Sequence, residues 1–187
     1  MKAGHKHIVV LSGPTGVGKT TLAYELVQRI GALHVSTSSL ILSIRPTLTP
    51  GRQPLQQAGN NLDKETNFRW IADEVSQLER DFPGRSLVVD AARKPGQVLA
   101  LREQTSGNLT HVHLEASYDH LVYRHSLRAR DIDTGQAYDV LVKDVSESYQ
   151  SELAEISDLI LDAENASPSQ LGAKVMSFLD VAITDTT

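Results

Sequence analysis

The chain contains no cysteine. That excludes disulfides, thiolate metal sites and a cysteine nucleophile, and it fits a reducing compartment. No apolar run approaches the roughly 18 residues that span a bilayer. The opening Met1–His7 lacks a secretory h-region and cleavage site, so the expected location is the cytoplasm, with no membrane partner. The seven histidines show no H-x-x-x-H or H-E-x-x-H spacing, and no G-x-S-x-G elbow occurs. His111 and His113 alternate on an apolar segment and read as packing or capping groups rather than ligands. No internal repeat, low-complexity segment or second domain boundary is visible. What remains is an ordinary globular composition: 187 residues, 40% hydrophobic and 22% charged. The net charge of −5 argues against nucleic acid as the general partner. Residues 1–187 are therefore expected to form one domain, and a homodimer is compatible with this composition.

Short apolar runs alternate with helical periodicities. Strands are expected at Ile8–Leu11, Leu33–Val35, Ser86–Val89, Leu109–Leu114 and Leu159–Leu161. Apolar residues Leu22, Ala23, Leu26, Val27 and Ile30 predict a helix over Lys19–Ile30, stopped by Gly31. Ser38–Ile44 predicts a helical turn. Thr47–Pro54 reads as a loop, with Pro46 just before it and Pro50, Gly51 and Pro54 inside it. Leu62–Phe82 predicts a long helix or a helix pair. Further helices are expected over Gln97–Gln104, Tyr118–Arg130, Ala137–Leu153 and Pro168–Ile183. Such alternation implies parallel strands covered on both faces, an α/β fold.

One motif is strong. Gly13-Pro14-Thr15-Gly16-Val17-Gly18-Lys19-Thr20 matches G-x-x-x-x-G-K-[ST], after a strand and opening a helix. The glycines let successive backbone N–H groups converge on an anion, and the helix N-terminus adds its positive end. These residues, with Thr21, are the expected ATP-binding loop. Lys19 would stabilise charge on the β- and γ-phosphates, and the Thr20 hydroxyl would ligate Mg²⁺. Asp90 ends an apolar strand, where an acid can hold the same ion; the competing reading is a turn or capping residue.

Basic residues could grip further phosphates. Arg93 lies three residues beyond Asp90, near the mouth where ligands of open α/β sheets bind. Arg124 and Arg128 share a helix face, Arg130 follows, and Gly135 could hinge a lid over about 124–136. Arg128 is assigned to the transferring phosphoryl group and Arg124 and Arg130 to ATP, against the reading of a solvated basic face paired with Asp131 and Asp133. Arg45 and Arg52 flank the proline-rich loop, and Gln56-Gln57 and Asn60-Asn61 follow. Arg45, Gln56 and Arg93 are the candidate acceptor-binding residues, within an insert over about 36–70. A polar helix surface is the bland alternative for the amides, as core packing is for Trp70.

These residues resemble the nucleoside-monophosphate-kinase-like group of P-loop kinases, which includes adenylate-kinase-like enzymes, dephospho-coenzyme A kinase and phage deoxynucleoside monophosphate kinases. Beyond the phosphate loop the resemblance rests on Val88-Val-Asp-Ala-Ala-Arg93, Arg124–Asp131 and Ser157–Asn165. Leu55-Gln-Gln-Ala-Gly59 followed by Trp70 is similar to small kinase-like domains associated with adenylosuccinate synthetase. The resemblance implies a three-layer α/β/α sandwich around a five-stranded parallel sheet of order 2-3-1-4-5. It also implies ATP- and Mg²⁺-dependent phosphorylation of a small nucleotide. Hydroxyl-phosphorylating members carry an acid near the end of the second strand, where this chain reads Val35-Ser-Thr-Ser-Ser39. An alcohol acceptor gains from a base, whereas a phosphate acceptor is already an anion. The expectation is thus a nucleoside monophosphate acceptor. The alternatives are a hydroxyl kinase, for which Asp90 or Asp63 could be the base, and a regulatory NTPase.

Overall fold

The computed structural model describes residues 6–105, 108–127, 138 and 148–184. Five strands, β1 (His7–Ser12), β2 (Leu33–Ser36), β3 (Leu87–Asp90), β4 (Asn108–Glu115) and β5 (Leu159–Asp162), form one sheet. Its order is β2-β3-β1-β4-β5 and every neighbouring pair is parallel. The expected architecture is therefore the one observed. The central strand is buried on both faces because its side chains alternate between two cores. Val9 and Leu11 join the face covered by α1 (Lys19–Ile30), α6 (Tyr118–Ser126) and α8 (Pro168–Thr184). Ile8 and Val10 join the face covered by α2 (Thr37–Ile44), α3 (Arg52–Thr66), α4 (Trp70–Asp81), α5 (Pro95–Gln104) and α7 (Gln150–Glu155).

Two element boundaries differ from expectation, and at a third place the structure decides between two expectations. The loop over Thr47–Pro54 is shorter, because α3 already starts at Arg52 and the Leu55 N–H donates to the Gly51 carbonyl (3.0 Å). Pro54 fits in this first turn, where its missing N–H would have had no intrahelical partner. The Leu62–Phe82 region is the helix pair. It breaks at Asn67 and Phe68, both in the left-handed region (φ 50° and 66°), without a glycine or proline to mark the place. The Phe68 ring fills the space over Gly96, where even a Cβ would lie 2.6 Å from it. Helix α6 ends at Ser126, earlier than the expected Arg130. Most of the helix expected over Ala137–Leu153 lies outside the described residues. Among the described residues no helix is long and apolar enough to cross a membrane.

Inside β4, His111 and His113 are 0% and 2% exposed and lie on either side of the buried Ser12 hydroxyl. Ser12 Oγ is 2.7 Å from His111 Nε2 and 2.8 Å from His113 Nδ1. His111 Nδ1 faces the Ile156 carbonyl at 3.5 Å, and that oxygen can only accept, so His111 carries its proton there. Ser12 then donates to His111 and accepts from His113. The packing reading of these histidines holds. Both are lowered to about 4, chiefly by burial, with the neighbouring His111 and Lys19 contributing for His113. A histidine held below its usual 6.5 keeps its folded-state advantage above pH 6.5 and loses it as the pH falls towards 4. The loss amounts to about 1.4 kcal/mol per pH unit for each group. The urea midpoint is expected to fall between pH 6.5 and 5, and less steeply in His111→Leu. An unchanged slope in that variant would remove His111 from the account.

Candidate functional site

The phosphate loop connects β1 to α1. Gly13 (φ 135°) passes so close to the sheet that a Cβ would lie 2.4 Å from the Leu114 carbonyl oxygen. Gly18 (φ 110°) caps α1 in the left-handed region with no side-chain capping hydrogen bond. A glycine-rich backbone of this kind, opening a helix, suits polyphosphate oxygens. Pro14, Thr15 and Gly16 form the half-buried rim, while Val17 anchors the loop in the core. Lys19 Nζ donates to the Gly13 and Pro14 carbonyls (2.6 and 2.8 Å), so its charge sits across the loop. Thr20 and Thr21 are exposed in the first turn of α1.

Around this loop the fold brings side chains from distant elements. Arg124 donates to the Val17 carbonyl and to the Ala163 carbonyl beyond β5, both at 2.8 Å. The Tyr138 hydroxyl donates to the Thr15 carbonyl (3.0 Å), and Arg52 Nη2 to Thr15 Oγ1 (3.4 Å). Asp90 lies in register with Leu11, the penultimate residue of β1, and its carboxylate is 3.3 Å from His34 Nε2. Among the described residues no group of three or more His, Asp or Glu side chains could hold a metal. Thr20 and Asp90 together are a sparse oxygen set. Such a set fits Mg²⁺, which keeps several waters and takes its remaining ligands from substrate phosphates.

A cavity of about 480 Å³ lies between α2, α3 and the β3–α5 connection. Its polar lining includes Arg52, Gln56, Asn60, Asp63, Arg93 and Lys94. The floor is built on Asp63, whose side chain is 3% exposed. Its carboxylate accepts from Trp70 Nε1 (2.7 Å), Gln97 Nε2 (2.8 Å) and Lys94 Nζ (2.8 Å). Gln97 Oε1 in turn accepts from the Arg93 backbone N–H (2.8 Å), so the same carboxylate fixes the segment that carries Arg93. Saturated in this way, Asp63 is an anchor for the cavity floor.

The phosphate loop, Asp90, Arg93, Arg124 and Gln56 thus gather at one edge of the sheet. Arg45 does not join them. It pairs with Glu65 and lines a separate depression with Thr47, Leu48 and Gln57. Its neighbour across the proline-rich loop, Arg52, occupies the cavity. Arg128, Arg130 and most of the expected lid over 124–136 lie outside the described residues. Lys94 is a site residue that motif reading missed, since one lysine in a turn carries no sequence signal. The face shared by Arg52, Gln56 and Asn60 was readable from their spacing of four once Arg52 is helical.

The sequence model of the AAA domain family matches residues 12–139. A tRNA dimethylallyltransferase from Nitrobacter hamburgensis is 28% identical over 98 residues, covering 47% of this chain and 31% of that relative, so the match spans less than a third of its length. Among solved structures, shikimate kinase from Acinetobacter baumannii superposes with a TM-score of 0.66 at 13% identity, over 96% of each chain. The Mycobacterium tuberculosis APS kinase, in complex with AMPPNP and APS, gives 0.61 at 14%, over 94% of this chain and 98% of that one. At these identities the structural likeness is one of fold, a kinase-like P-loop fold.

The buried ion pair yields a stability prediction. Removing Asp63 leaves the Lys94 ammonium and the Trp70 and Gln97 donors uncompensated, so Asp63→Ala should cost about 3–5 kcal/mol in urea unfolding. Adding Lys94→Met to that variant should recover a large part of the loss. A cost below about 1 kcal/mol, the level of exposed pairs, would show that the pair is solvated.

Proposed function

This chain belongs to the AAA domain family, and from that premise we propose that it is an ATP-dependent phosphotransferase acting on a nucleoside monophosphate. The observation that carries this reading is the cavity beside the phosphate loop, with Arg52 reaching Thr15 at one end and Arg93 near the end of β3. Two guanidinium groups at the entrance suit an anionic acceptor, since each can take two phosphate oxygens at once. A regulator that only hydrolyses ATP has no need of a second cationic pocket.

In this proposal the chain acts as one kinase unit, with 36–70 supplying the acceptor side. An acceptor phosphate oxygen attacks the γ-phosphorus of ATP, the bond from that phosphorus to the β-bridging oxygen breaks, and ADP leaves. Lys19 neutralises charge on the transferred group, the loop N–H groups hold the β-phosphate, and Arg124 borders the ATP side. Thr20 and Asp90 would hold Mg²⁺, which would supply charge neutralisation to the phosphates. Arg52 and Arg93 hold the acceptor in line, and such positioning is the main requirement when the nucleophile is already an anion.

A hydroxyl acceptor is the second reading. It is favoured by Asp90, whose carboxylate has His34 at 3.3 Å and, among the described residues, no set of donors like that of Asp63. The two readings separate on one comparison, steady-state kinetics with a nucleoside monophosphate against the matching nucleoside. The proposal expects the monophosphate to be preferred. Arg93→Ala should lower kcat/KM for it by about 30- to 1000-fold with little change in ATP affinity. Lys19→Ala should slow transfer to every acceptor by about 100-fold or more. Preference for the nucleoside, or an Arg93→Ala enzyme with unaltered acceptor kinetics, would promote the hydroxyl reading.

A further inference from the structure

The cavity also carries information about the acceptor's base, because its amide orientations are fixed by partners that have no choice. Lys94 Nζ can only donate, and it lies 2.7 Å from Asn60 Oδ1. The Asn60 amide therefore spends its acceptor on Lys94 and keeps both N–H donors on Nδ2, which makes no hydrogen bond among the described residues. Gln97 is spent in both directions, donating to Asp63 and accepting from the Arg93 N–H. Trp70 spends its single donor on Asp63. Gln56 makes no hydrogen bond among the described residues, so its amide can turn to present either atom. Among the described residues that line the cavity, the amide with a fixed polarity towards a ligand is Asn60, and that polarity is donor.

Arg52, Gln56 and Asn60 succeed one another at intervals of four along α3, so they form one stripe. The stripe spans about 12 Å, from the guanidinium beside the phosphate loop to the amide beside the buried Asp63–Lys94 pair. A monophosphate gripped by Arg52 lays its base towards Gln56 and Asn60.

We infer, on the basis of the nucleotide reading above, that Asn60 selects an acceptor whose base presents a carbonyl oxygen rather than an amino group. The Asn60 N–H donates to the exocyclic oxygen. Gln56 turns its Oε1 to the adjacent ring N–H that such bases carry. An amino group in place of the carbonyl would meet a fixed donor with a donor and leave both without a partner in the cavity. A site built on hydrogen bonding rejects that kind of analogue strongly.

The test is calorimetric binding of two matched pairs, UMP against CMP and IMP against AMP, to the full chain. Members of each pair differ in a carbonyl with ring N–H against an amino group with bare ring nitrogen. The expected result is binding of UMP over CMP and of IMP over AMP by about tenfold or more. Asn60→Asp keeps an oxygen for Lys94 and replaces the donor by an acceptor, so the preference should reverse. Asn60→Leu, which keeps similar bulk without any donor, should bring both ratios close to one. Equal binding within the pairs, tighter binding of CMP and AMP, or an unaltered preference in Asn60→Leu would overturn the inference while leaving the nucleotide reading intact. Failure of all four monophosphates to bind would overturn both.

Discussion

Parallel pairing is the constraint on which the site depends. In a fully parallel sheet every strand ends at the same edge, so whatever follows β1, β2, β3 and β4 must meet there. Register makes the meeting specific. Leu11 is level with Asp90 on one side and with Val112 on the other, and Ser36 is level with Asp90. The turn after Ser12 is therefore flanked by an acid from β3 and a histidine from β4. A slip of one residue would exchange the faces of a strand and carry its chemistry into the wrong core. The apolar alternation of β1, with Val9 and Leu11 to one core and Ile8 and Val10 to the other, guards against that slip.

Polar groups buried near this edge divide into two sets with different chemistry. Ser12, His111 and His113 form a neutral chain, and burial keeps the histidines uncharged beneath the cationic Lys19. Asp63 and Lys94 form a charged pair, surrounded by Trp70, Gln97 and Asn60 so that the lone pairs and donors facing the protein are used. A pair of this kind gains little net stability over an apolar substitute, but losing one partner is costly. Its value here is geometric. It fixes the Gln97 amide, through Gln97 the backbone of Arg93, and independently the direction of the Asn60 amide.

The strands and the phosphate loop were readable in the sequence because each rests on local chemistry, whereas the strand order was implied by the family resemblance. Glycines that must adopt positive φ, a lysine beside them, and apolar runs too short for helices leave few alternatives. Asp90 and Arg93 were readable as positions, since a strand end fixes where they emerge. The cavity beside the phosphate loop was much less so. Pro50, Gly51 and Pro54 read as punctuation, yet the helix begins among them and turns Arg52 inward while Arg45 pairs outward with Glu65. The break between α3 and α4 depends on Phe68 finding its place over Gly96, a contact across 28 positions that no local pattern announces. Lys94 becomes a site residue only through Asp63, 31 positions away.

The central claim is that the cavity beside the phosphate loop receives the γ-phosphoryl group, so the most direct test is a phosphorus balance. Phosphorus NMR of the full chain with ATP, Mg²⁺ and a nucleoside monophosphate should show ADP and nucleoside diphosphate rising together, with little inorganic phosphate. ADP rising with an equal amount of inorganic phosphate, and no phosphorylated acceptor, would contradict the account and identify the chain as a hydrolase.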